Sequence, residues 1–240
     1  MQMTWTKNDM LHRQLLDFMQ TVVDPVIAHC RHWVQNRMTL CGCQVTSCET
    51  FGSHCYGLGL PTSDVDIAAI LPWGSNDQVF LDKLRELANA EGSPFTDEGK
   101  CLITDCHQAE FRGLAVDIKP MNIRKYDFAC QSTDRLKSLI EMRSNSESFK
   151  PKLQAIHIFK LVCHFLEITQ HHWTARAGKF KAIALSYWAV AVCDTMEPDI
   201  SAGKAINLLC HAFKEFDRMK WRVAVSAAGA VSICRKMMVE

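Results

Sequence analysis

The spacing of apolar residues changes along the chain, and that change divides it. Over residues 8–35, Leu11, Leu15, Phe18, Val22, Val26, Cys30 and Trp33 recur at steps of three or four, which predicts a helix with one apolar stripe. Asp24-Pro25 predicts a kink or a break inside it. A strand ending at Thr50 then feeds the turn Phe51-Gly52-Ser53. A short helix is expected over 54–59, and a strand over 64–71. Ser75 or Asn76 caps a helix from Asp77 to Ala90, with Val79, Phe80, Leu84, Leu87 and Ala88 as its stripe; Gly92 and Pro94 end it. Alternation predicts further strands at 100–105, 108–112 and 114–119.

Beyond residue 125 the period is helical. Ser132 or Thr133 opens a short helix through Met142, and residues 144–150 read as a polar loop. Pro151 suits a first helical turn, and Leu153–Ile168 carries Ile156, Phe159, Cys163 and Leu166 on one side. Residues 182–193 form a nearly continuous apolar helix, 202–216 another, and 219–225 a short extended segment; the tail to Glu240 is expected to be helical. The fold class is therefore α+β, with a mixed α/β part over 36–125 and helical parts over 1–35 and 126–240.

Composition narrows this picture without redirecting it. Hydrophobic residues make up 48% of the 240, enough for a sizeable core, and no apolar run reaches the length of a membrane span. The net charge of +1 excludes a strongly basic nucleic-acid binder. Charge is uneven, however: Arg112 to Lys160 holds ten Lys/Arg against five Asp/Glu, a patch that attracts phosphate. Twelve cysteines without a secretory leader point to reduced thiols inside a cell, in no particular compartment. The groups Cys41, Cys43, Cys48 and Cys101, Cys106, His107 lack paired zinc spacing.

The chemistry concentrates in FGSHCYGLGLPTSDVDIAAI, residues 51–70. On a strand, Asp64 and Asp66 face one way and Val65 and Ile67 the other. In LAVDIK, Leu114, Val116 and Ile118 share the core face and Asp117 the opposite one. Three carboxylates on neighbouring strands are hard ligands for two divalent ions, Mg2+ or Mn2+. Gly52 lets the chain pass close to phosphates, and Ser53 can donate to one.

Gly52-Ser53, Asp64-x-Asp66 and Asp117 resemble the signature of the DNA polymerase beta-like nucleotidyltransferases, in the branch of non-canonical poly(A) polymerases and terminal uridylyltransferases. That resemblance implies a catalytic palm over 36–125 with a helical second domain. It also implies that the three aspartates are catalytic and that Gly52 and Ser53 touch the nucleotide. Lys160 in IHIFKLVCHFL matches a lysine near the triphosphate, although His164 stands where a second lysine is usual. Ser186-Tyr187 matches a Ser-Tyr pair that touches the triphosphate and stacks on the base. His164, Lys181, Arg124 and Lys125 are further candidate phosphate or RNA contacts.

The implied activity is template-independent addition of UMP or AMP to an RNA 3′ end. A protein partner would supplement RNA affinity in a chain of such low net charge. A base-choosing loop is not identifiable, which leaves adenosine open, and uridine is favoured by analogy with compact terminal uridylyltransferases alone. The same residues would serve a poly(A) polymerase, an enzyme making oligonucleotides or cyclic dinucleotides, or an inactive RNA- or protein-binding scaffold.

Overall fold

The computed structural model describes residues 7–96, 105–166, 182–216, 221–225 and 231–235. Its α+β architecture separates into two compact units, one of Leu16–Asp134 and one of Arg135 onward together with the segment up to Leu15.

The first unit is built on a five-stranded sheet. Helix α1 (Lys7–Phe18) runs through a π-helical turn, Met19–Val23, into α2 (Asp24–Leu40), and Pro25, which has no N–H to donate to the preceding turn, falls just after the π-helical stretch. Strands β1 (Ser47–Phe51), β2 (Val65–Ile70), β3 (Phe95–Thr96), β4 (His107–Phe111) and β5 (Leu114–Met121) are ordered β1-β2-β5-β4-β3. Only the β2–β5 pair is parallel. Helix α3 (Asp77–Ala88) makes the crossover between them, and Asn76 caps it by accepting from the N–H groups of Gln78 and Val79.

Helices α2 and α3 cover one face of the sheet. Ile27, Cys30, Val34 and Met38 from α2 and Phe80, Leu81 and Leu84 from α3 share a core with Val65, Ile67, Val116 and Ile118. Trp33, Phe95 and Phe111 extend this core edge to face, with ring centroids 5.0 and 4.9 Å apart. The sequence pattern assigns residues up to 35 to the helical part, but α2 belongs to the sheet because its apolar face is buried on it.

Three expectations change along this part of the chain. The stripe predicted for the first helix is buried only in part: Leu15 and Cys30 are inside, Leu11, Phe18 and Val22 are exposed, and Val23, Ile27, Val34 and Met38 are buried as well. The π-helical turn inserts an extra residue and moves the buried face round the axis. Val79, expected in the stripe of α3, is exposed, and Leu81 is buried instead. Ser132 and Thr133 open no helix. A single helix, α4 (Ile123–Ser144), runs through them, entered at Asn122, whose side chain accepts from Lys125 N–H at 2.9 Å. Buried Cys130, Thr133, Leu136, Leu139 and Ile140 mark its inner stripe. The expected strand at 100–105 lies, apart from residue 105, outside the described residues.

The second unit packs helices α5 (Lys150–Phe165), α6 (Ala182–Asp194) and α7 (Ala202–Glu215). Pro151 sits in the first turn of α5, and Ser201 caps α7 by accepting from Lys204 N–H at 3.3 Å. Phe159, Trp188, Phe213 and Phe216 form an aromatic cluster, with Phe159–Trp188 and Trp188–Phe213 centroids 5.7 and 5.3 Å apart. Within the α5 stripe, Ile156, Phe159 and Cys163 are buried but Leu166, at the helix end, is exposed. The tail is not helical where it is described. Strand β6 (Trp221–Val225) pairs antiparallel with β7 (Val231–Arg235), as the β-branched and alternating residues of VSICR favour.

Candidate active site

Strand pairing brings the acidic residues together. In the parallel β2–β5 ladder Asp66 lies directly opposite Asp117, and Val65 and Val116 precede them in register. Alternation turns Val65, Ile67, Val116 and Ile118 into the core and both carboxylates to the other face. Asp64 sits one residue before β2, half-buried, and its charge reaches the Asp66 carboxyl.

The glycine turn closes on the same point. Phe51, the last residue of β1, pairs with Asp66. Gly52 follows in a left-handed conformation with φ 75°, and Gly52–Tyr56 continues as a 3-10 turn. A Cβ on Gly52 would collide with Oδ2 of Asp66. Gly52 is therefore required twice, by its positive φ and by the carboxylate against it. Ser53 is half-buried in that turn. His54, left without a role by the sequence, meets the Ser63 carbonyl at 3.3 Å through Nε2 and lies where a Cβ on Gly59 would touch it. It thus ties the turn to the approach of β2.

Two more residues complete the arrangement, and sequence reading passed over both. Lys119 follows Asp117 by two and so shares its face of β5. Its Nζ stands 3.5 Å from Asp66 Oδ1 and 4.0 Å from Asp117 Oδ2, and 5.7 Å from the centre of the Phe51 ring. Gln108 donates through Nε2 to Asp117 Oδ1 at 3.1 Å. Both were available from pattern: Lys119 from alternation, and Gln108 from the two-residue Arg112-Gly113 turn, which sets Gln108 opposite Asp117.

Electrostatics follow from this crowding. Burial raises the Asp66 pKa to about 6; the Lys119 ammonium opposes the rise, and the Asp117 and Asp64 carboxylates add to it. Burial works against the charge on Lys119, but Asp66, then Cys106 and Asp117, outweigh it and its pKa moves up. Among the described residues no three His, Cys, Asp or Glu side chains converge as a ready ligand cluster. The hard oxygens of Asp66 and Asp117 are nonetheless the donor type of a magnesium-class ion, which commonly takes one or two carboxylates and fills its remaining positions with water and phosphate.

A nucleotidyltransferase domain family matches residues 40–160, from the end of α2 through the sheet to α5. This chain belongs to that family. Its fold resembles several solved nucleotidyltransferases. A GLD-2/RNP-8 complex matches at 14% identity over 95% of this chain and 81% of that one, with a TM-score of 0.60. Cid1, described as having RNA terminal uridylyl transferase activity, matches at 12% identity over 91% and 74%, with a TM-score of 0.58. A poly(A) polymerase complex, GLD-2 with GLD-3, matches at 13% over 88% and 77%, with a TM-score of 0.56. No curated protein sequence matches the chain.

The other residues predicted for a nucleotidyltransferase site fall into three groups. Lys160, Ser186 and Tyr187 lie in the helical unit, and all three are buried. Burial lowers the Lys160 pKa to about 7. His164, one turn on, is half-buried beside Phe165. Arg124 and Lys125 stand at the start of α4. The Arg124 guanidinium lies 5.2 Å over the exposed Trp73 ring, and Lys125 pairs with Asp77 at 3.1 Å. Lys125 and Asp77 line a cavity of about 290 Å³ with Trp73 and Asn122. Lys181 lies outside the described residues.

Proposed function

We propose that this chain transfers a nucleoside monophosphate from a ribonucleoside triphosphate to the 3′ end of an RNA without a template. The observation that carries the reading is the in-register Asp66–Asp117 pair with the Gly52 turn against it. Two adjacent carboxylates and a turn able to approach phosphate are what phosphoryl transfer needs, since positioning and charge neutralisation supply most of its catalysis.

Asp66 and Asp117, with Asp64 beside them, would hold divalent ions of the Mg2+ or Mn2+ class. Such ions, when bound, neutralise charge on the transferring phosphoryl group and acidify the attacking hydroxyl. The protein's own part is orientation. Gly52 leaves room for the triphosphate next to Asp66, and the Ser53 hydroxyl donates to a phosphate oxygen. Gln108 holds Asp117 Oδ1 and so fixes the direction of that carboxylate. Lys160 and Ser186 are assigned as triphosphate contacts and Tyr187 as a base platform from the family resemblance of their sequence segments. His164 and Lys181 are secondary phosphate contacts, and Arg124 and Lys125 contacts to the RNA backbone.

Among the described residues no helix is long and apolar enough to cross a membrane. With a net charge of +1, RNA affinity is expected to be modest and to gain from a protein partner.

The transferred base is proposed to be uridine, with adenosine the competing choice. Incubation with an equimolar mixture of four triphosphates, with and without a labelled RNA, tests base and acceptor together. Uridine added only when RNA is present supports the reading. Predominant adenosine makes the chain a poly(A) polymerase, and RNA-independent oligomers or cyclic dinucleotides replace the acceptor.

A further inference from the structure

The lysine between the two carboxylates has a role of its own. Lys119 is held on three sides: Asp66 Oδ1 at 3.5 Å, Asp117 Oδ2 at 4.0 Å, and the Phe51 ring with its centre 5.7 Å away. Both ion-pair distances exceed the 2.7–2.9 Å or so of a tight charge-assisted bond. The ammonium is therefore shared between two acids and locked to neither. It faces Oδ2 of Asp117, while Gln108 takes Oδ1. Two carboxylates side by side on adjacent strands repel, and a positive charge between them relieves that repulsion. The Lys119 side chain retains 27% exposure, and its four-carbon stem lets the head swing away without moving the backbone.

We propose that Lys119 is a tethered cation that competes with a divalent ion for the Asp66–Asp117 pair. Binding of the ion displaces the Lys119 ammonium towards solvent or towards the incoming phosphates. The inference rests on the proposed reading of the pair as ion ligands. It assigns Lys119 the role of setting how much divalent ion, and how much phosphate arriving with it, is needed to charge the site. Lys119 is thus a positioning residue: it acts through the two carboxylates.

Titration with Mn2+ alone, read by the electron paramagnetic resonance signal of free Mn2+, tests this without any turnover. Lys119→Met and Lys119→Gln should both bind Mn2+ more tightly than the parent, by roughly tenfold, since one opposing charge at about 4 Å is removed. Lys119→Arg, which keeps the charge, should stay near the parent affinity. Thermal melts run alongside should show both neutral variants less stable than the parent without Mn2+ and gaining more from its addition. Unchanged or weaker Mn2+ binding in folded Lys119→Met and Lys119→Gln, with the parent still binding, overturns the competition and leaves the ion site standing. Absence of Mn2+ binding in the parent and all variants overturns both the competition and the ion site.

Discussion

Burial places the Asp66 carboxyl under electrostatic strain, and the sign of that strain can be tested. Its folded pKa of about 6 lies above the unfolded carboxyl value, so the native state holds this proton more tightly than the unfolded state does. Stability from this group is therefore present at low pH and is lost as pH rises through about 6. Asp66→Asn removes the dependence. The difference in melting temperature, variant minus parent, should be more positive at pH 7.5 than at pH 5, by about 2–4 °C for each kcal/mol released. Equal differences at the two values would show that the Asp66 carboxyl is not perturbed.

Lys160 presents the opposite case. Its folded pKa is depressed to about 7 by burial, so the unfolded chain binds the proton better, and stability rises as pH increases from about 7 towards the ordinary lysine value. The difference in melting temperature, Lys160→Met minus parent, should therefore be more positive at pH 6 than at pH 9, by a few degrees. A lysine kept at such a cost is the kind of group that serves ligand binding, and the same variant should bind ribonucleoside triphosphate more weakly. Equal differences at the two pH values would contradict the burial argument.

Among the elements, the β4–β5 hairpin sets the geometry of Asp117. Its turn residues Arg112 and Gly113 have φ 51° and 83°, the paired left-handed conformations of the tightest hairpin. Glycine adopts this freely, but arginine is strained there by about 1 kcal/mol or more. Arg112→Asn should raise the melting temperature by about 1–3 °C while leaving the Gln108–Asp117 register unchanged. A lower melting temperature would mean that the Arg112 side chain contributes more than its backbone costs.

Much of this level was legible beforehand. Alternation in LAVDIK placed Asp117 opposite its core neighbours, and Asn76 and Pro151 marked helix starts that the chain uses. Other features were hidden for physical reasons. A π-helical turn leaves no mark in the apolar spacing, so the buried face of α2 shifted from the predicted stripe. Thr133 looked like a cap because hydroxyl residues favour caps, yet inside a helix with a buried stripe it packs inward. The contact between Gly52 and Asp66 depends on two strands pairing, and no local pattern reports that.

For the whole molecule, the family match and the fold likeness both place the Asp66–Asp117 pair in a nucleotidyltransferase domain. The likeness, at 11–14% identity for the poly(A) polymerase, uridylyl transferase and related structures with TM-scores of 0.56–0.60, extends to the architecture and leaves the choice of base to the residues of this chain. The local excess of basic residues between Arg112 and Lys160, set in a chain of net charge +1, predicts RNA binding that weakens steeply with salt. Raising salt from 50 to 200 mM should cut affinity for a single-stranded RNA by about tenfold or more. Salt-insensitive binding would argue for contacts to bases alone.

The proposed nucleotide transfer to RNA stands or falls with the Asp66 and Asp117 carboxylates. The test is extension of a 5′-labelled RNA oligomer with a free 3′-hydroxyl by the parent and by Asp117→Asn, with Mg2+ or Mn2+ and each triphosphate in turn, following released pyrophosphate. Extension by the parent, one pyrophosphate for each nucleotide added, and a loss of at least about 100-fold in the folded variant are the expected results. Full activity in Asp117→Asn, or no extension by the parent with any of the four triphosphates, would contradict it.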